Sequence, residues 1–203
     1  MEILGLSAAK MRGVLGVLLK DLKGESPEKV LELAWILRNT GIHEGRQVAY
    51  ELLDRRADAR RLLSTRELRR MGQGNDNWAS VDTFGGYISG PAWREAQISD
   101  GQVLSWTRLR DLWWRRTALV STVPLNMRSR GGTGDPERTL MICRELARDT
   151  EPMVAKALSW ALRALVAVDR EAVQGFLEVW DEGLPSLVRR EVRTKLETGR
   201  KNR

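Results

Sequence analysis

Cysteine and histidine each occur once in 203 residues, as Cys143 and His43. A lone cysteine allows no intrachain disulfide and no Cys-rich zinc site; a lone histidine removes His-pair metal motifs and speaks against a Ser-His-Asp triad. His43 stands where a helix is expected to begin, a place for a surface or capping side chain. No apolar run approaches the ~20 residues that cross a bilayer. Glu2, Lys10 and Arg12 break up the apolar N-terminal stretch that a signal peptide would need. These absences describe a soluble protein of the cytosol, the bacterial cytosol or nucleoid, with no membrane and no metal among its partners. Phenylalanine and tyrosine are scarce too, two of each against eight tryptophans. Tryptophan serves cores and stacking surfaces alike, so position has to decide between them.

Acidic residues are outnumbered. Against 27 Asp+Glu stand 34 Lys+Arg, a net charge of +7, and arginine greatly outnumbers lysine. Such an excess favours polyanionic partners, nucleic acid first and an anionic membrane surface second. It equally describes a soluble basic protein with no such partner.

Strand alternation of period two is absent, whereas a period of 3.6 with good caps recurs throughout. Ser26-Pro27-Glu28 is a helix start: an N-cap, proline at the first helical position and an acid on the dipole. A second helix begins near His43. Ser64 and Glu67 form a capping-box pattern on a short helix ended by Gly72. After a loop at 72–76, Asp76 or Asn77 caps a helix over roughly 78–89, and Pro91 closes that unit. Ser99 opens a short helix, a longer one spans roughly 109–123, and 126–135 reads as a flexible Gly/Arg loop. Further starts lie at Asp135-Pro136, Glu151-Pro152, Asp169 and after Pro185. Helix pairs thus recur about every 40 residues, the period of HEAT-type arrays. The expected fold is all-α: an α-α superhelix, a HEAT-like solenoid forming one domain over 1–203, with 198–203 a flexible basic tail. The concave face of such a solenoid suits an extended ligand.

Three places break the apolar stripes. Trp78, Val81 and Asp82 share one helix face, and a carboxylate on a half-apolar face needs a partner or a function. A structural pairing of Asp82 with an arginine would satisfy that need. Gly85-Gly86 follows, unfavourable in a helix by ~1 kcal/mol each unless something packs closely there. Arg116 occupies the stripe of Leu112, Leu119, Val120 and Val123, while Arg115 lies about 100° away. A half-buried arginine calls for a carboxylate or phosphate. Trp160 stands off its own core stripe between Lys156 and Arg163. One aromatic flanked by cations suits a nucleic-acid backbone, and equally a cation stem lying over an indole.

At these places the chain resembles the AlkD-like DNA alkylation repair family. NWASVD (77–82) is similar to its N-W-x-x-V-D segment, LWWRRTA (112–118) to its W-x-R-R-x-A segment, and KALSWALR (156–163) to its K-A-x-x-W-x-L-R segment. The similarity covers most of the chain, from about Gly5 to Lys195, with order and spacing preserved. The resemblance implies a DNA glycosylase that hydrolyses the N-glycosidic bond of cationic N3- or N7-alkylated purines in duplex DNA, without base flipping. Neither a cofactor nor a metal is implied, and the expected state is a monomer. Carried over by motif, Asp82 is the catalytic carboxylate, Trp78 and Trp160 flank the lesion deoxyribose, and Arg116 or Arg115 contacts the backbone near it. Arg163, Lys156, Arg128 and Arg130 complete the expected DNA-binding set. The match begins where the family's first helix has already passed, so an aromatic supplied by that helix is expected to be missing. Two other classes fit the same architecture: a non-catalytic binder of DNA structure and a protein-binding scaffold. Glycosylase and binder both need a basic groove; a scaffold needs an apolar one.

Overall fold

Helix starts are fixed locally. Ser7, Ser26, Ser64, Asn77, Ser99, Asp111, Asp135 and Asp169 each accept a hydrogen bond from a backbone N–H two or three residues on. Such caps satisfy donors that a helix N-terminus leaves unpaired. In the computed structural model, which describes residues 1–200, they open most of a series of helices: α1 (Ala8–Asp21), α2 (Pro27–Asn39), α3 (His43–Arg55), α4 (Ala57–Arg60), α5 (Thr65–Gly72), α6 (Trp78–Phe84), α7 (Gly90–Arg94), α8 (Asp100–Thr107), α9 (Leu112–Asn126), α10 (Pro136–Glu145), α11 (Pro152–Val166), α12 (Arg170–Trp180) and α13 (Ser186–Thr198). Among the described residues the only β pairing is an isolated bridge, Glu2 to Ile42. The last three residues of the expected basic tail, 201–203, lie outside the described residues; before them Gly199 ends α13 in the left-handed conformation, φ 70°.

The helices stack in two layers, an all-α repeat superhelix. Helices α3, α6, α9, α11 and α13 pack side by side as an inner row, while α2, α8, α10 and α12 lie against its other side. One continuous core runs between the layers, from Leu15 and Val30 to Val192 and Leu196. Tryptophan is divided as position demands. Trp93 and Trp106 are fully buried, and Trp114 packs against Trp106 and Phe84 at ring-centroid distances of 5.0 and 6.2 Å. Trp78 is 58% exposed.

Three expectations are corrected. Pro91 does not close the 78–89 unit: the helical path runs through a wide π turn, Gly85–Ser89, into α7, where Pro91 occupies the first turn and needs no N–H partner. Packing on α9 accounts for the wide turn. A Cβ on Gly85 would lie 2.6 Å from Val120 Cγ1, and one on Gly86 would lie 2.8 Å from Arg130 Nη1. The close approach foreseen for this glycine pair is made by α9 and an arginine. Nor is 126–135 a free loop. It folds into a 3-10 turn, Arg128–Arg130, with Gly132 pressed against the carbonyls of Pro124 and Leu125. Arg130 lies over the Tyr87 ring at 4.5 Å and donates to the Gly86 carbonyl at 3.2 Å, which pins the turn to the π segment. The helix expected over 109–123 starts at Leu112, because Asp111 caps it, and continues through Pro124 to Asn126.

Candidate functional site

Helix α6 begins where Asn77 Oδ1 accepts from the Ser80 N–H at 3.0 Å, and one turn later presents Asp82 beside Trp78. Helix α9 supplies Arg116 to the same spot. Its Nε and Nη2 donate to the two Asp82 carboxylate oxygens, each at 2.8 Å, and Nη1 donates to the Met153 carbonyl of α11. This is a fork-to-fork pair, the strongest ordinary form of ion pair. Both groups are largely desolvated, with side-chain exposure of 18% for Asp82 and 6% for Arg116. Burial pushes the Asp82 carboxyl above its ordinary value, while the guanidinium bonds and charge oppose that rise. Three of the five guanidinium protons are committed, which leaves two to offer a ligand.

Arg116 also forms part of the wall of a cleft of ≈ 460 Å³, together with Trp78, Met153, Lys156, Trp160, Arg163, Leu187 and Glu191. Four inner-row helices thus converge on one space. Asp82, bonded to Arg116, is not itself part of that wall. Trp78 and Trp160 are part of it, with Trp160 half-buried against the core. Lys156 is exposed and makes no ion pair among the described residues. Arg163 donates to Ser159 Oγ at 3.1 Å and lies 3.5 Å from the Glu191 carboxylate, which accepts from Ser159 Oγ at 2.6 Å. Desolvation holds the Arg163 guanidinium below its ordinary pKa, with the Glu191 charge opposing.

Other residues singled out in the sequence lie elsewhere. Arg115 Nε donates to Asp149 at 2.7 Å and Nη1 donates to the carbonyls of Leu109 and Arg110, so this arginine locks the α8–α9 connection. Arg128 is exposed and lines a neighbouring compartment, and Arg130 is held on Tyr87. His43 Nδ1 lies 3.2 Å from Ser80 Oγ at the base of α6. Among the described residues no cluster of three or more His, Cys, Asp or Glu side chains could hold a metal, and no helix is long and apolar enough to cross a membrane.

Residues 1–196 match the model of a family described as DNA alkylation repair enzyme. The chain belongs to that family. No curated protein matches it. Membership makes this a DNA repair protein of an enzyme family, and its inner-row cleft is the place to look for the chemistry. In this alkylation repair family member, helix α13, which none of the three motifs marks, brings Leu187 and Glu191 to the cleft and Lys195 to the neighbouring compartment. Their i, i+4, i+8 spacing puts them on one helix face, and that signal was there to be used.

Proposed function

We propose that the protein is a DNA glycosylase that releases cationic N3- or N7-alkylated purines from duplex DNA without flipping the base, acting as a monomer on a basic concave face. The observation that carries this reading is the bidentate Asp82–Arg116 pair, whose arginine lines one cleft with Trp78 and Trp160. An alkylated purine already bears positive charge. When its C1′–N bond breaks, the bonding electrons leave with the base and the positive charge passes to the sugar. A carboxylate fixed near that charge lowers the barrier, and electron-rich indole faces act in the same direction. The two remaining Arg116 protons, with Lys156 and Arg163, meet phosphate oxygens and set the register of the strand.

The cleft is open and aromatic-walled rather than a closed base pocket, which supports action on a base left in the stack. Its three cations favour duplex DNA over the apolar partner that a protein-binding scaffold would need. A non-catalytic binder would require the same cations and no Asp82. The test is abasic-site formation in a duplex carrying N7-methylguanine, with wild type and Asp82→Asn compared. Release by wild type and its loss in the variant are expected. Equal release by both would sink the assignment of Asp82.

A further inference from the structure

Trp160 and Arg163 border two spaces. On one side is the cleft; on the other is a compartment of ≈ 480 Å³ between the Arg128–Arg130 turn, α11 and α13. Arg128, Arg163 and Lys195 bring three positive charges to it, and among the described residues no carboxylate lines it. The contrast along the inner face is informative. The cleft includes Glu191, and a third hollow beyond Ser129 sets Asp54 and Glu95 against its arginines. The acid-free compartment is therefore the place where an anion meets least opposition. Its floor is apolar, with Ala164, Ala167 and Val168 beside the Trp160 indole. Cations above an apolar, aromatic floor match a sugar-phosphate unit, with the phosphate on the cations and the deoxyribose on the floor.

Arg128 forms no ion pair among the described residues. Among the described residues Lys195 has a single hydrogen bond, to the Gly199 carbonyl, so two of its protons remain to be offered. The turn that carries Arg128 is held in place by Arg130 on Tyr87, so the charge is presented by a fixed element.

We propose that this compartment binds a backbone phosphate of the lesion-bearing strand next to the lesion nucleotide, with Lys195 and Arg128 as its contacts and Trp160 as the partition between the two sugars. The proposal rests on the glycosylase reading for the place of the lesion and on the compartment alone for its charge. The strand therefore crosses Trp160 from the cleft towards the 128–130 turn.

The experiment measures binding of the full chain to a duplex containing a tetrahydrofuran abasic analogue, by fluorescence anisotropy over a salt series. Lys195→Ala and Arg128→Ala should each weaken binding several-fold at low salt, and the double variant should reduce the log–log salt slope by about 0.9, the value for one lost phosphate contact. Arg108→Ala, on the 68%-exposed Arg108 beyond the end of α8, should leave the slope unchanged. A neutral methylphosphonate next to the analogue in the same strand should weaken wild type but add nothing to the Lys195→Ala/Arg128→Ala double variant. An unchanged slope in the double variant, strict additivity at every lesion-strand position, or coupling to the opposite strand would overturn the proposal. Base release from N7-methylguanine by wild type is measured in parallel. Coupling without release leaves the compartment assigned and removes the glycosylase reading; release without coupling does the reverse.

Discussion

Asp82→Asn keeps the shape of the side chain and removes one charge, and Coulomb's law gives the size of the consequence. A carboxylate ~4 Å from the charge developing on the sugar, at an effective dielectric near 20, stabilises it by roughly 4 kcal/mol. Arg116, which lines the cleft and is held to that carboxylate by two 2.8 Å bonds, contributes an opposing charge. At ~8 Å it opposes by roughly 2 kcal/mol, leaving a net effect of about 2 kcal/mol in the intact pair. The asparagine variant loses the favourable part and keeps the opposing one. Single-turnover release of N7-methylguanine, with protein saturating, should therefore fall about a thousand-fold. Removing both charges in Asp82→Asn/Arg116→Gln should cost only the net term, about thirty-fold below wild type and so about thirty-fold above the single variant. That reversal separates charge from shape. If the double variant were no faster than Asp82→Asn, the pair would not be acting through its field, and the electrostatic account of the site would be wrong.

Three further outcomes follow from the same geometry. Release requires ionised Asp82, and burial raises its pKa above 3.8, so activity should fall as pH descends through a midpoint above that value; Arg116→Gln should move the midpoint higher still, and an acid limb at or below 3.8 in wild type, after subtraction of uncatalysed depurination, would contradict this. Trp78→Ala, at a position 58% exposed, should lower release at least ten-fold while changing the thermal midpoint by no more than a degree or two, whereas half-buried Trp160→Ala should lose both, as circular dichroism melts and excision assays would show. Gly85→Ala drives a Cβ to within 2.6 Å of Val120 Cγ1 and should destabilise by about 1–3 kcal/mol, visible as a drop of several degrees in the melt; an unchanged midpoint would mean that the π turn is not held by this contact.

What the sequence reveals and what it hides divide along the range of the interaction. Caps are local, and the starts at Ser26, Ser64, Ser99, Asp135 and Asp169 are each read from four residues. Arg116 is visible for a related reason: a cation in an apolar stripe stands out within one helix, and a step of about 100° already separates it from Arg115. The partners are another matter. Asp82 and Arg116 are 34 residues apart, as are Arg115 and Asp149, and nothing in either helix alone says which arginine takes which acid. The π turn is hidden too, because the space it accommodates belongs to Val120 and Arg130, elements far along the chain. Two readings of Asp82 stood side by side in the sequence, a structural ion pair and a site residue. The structure shows the ion pair. The same Arg116 that neutralises the carboxylate also faces the cleft with protons to spare, so the pairing that would make Asp82 merely structural is also what couples it to whatever anion the cleft receives. A phosphate drawn to Arg116 would compete for the guanidinium and leave Asp82 more negative in effect just when the sugar becomes cationic.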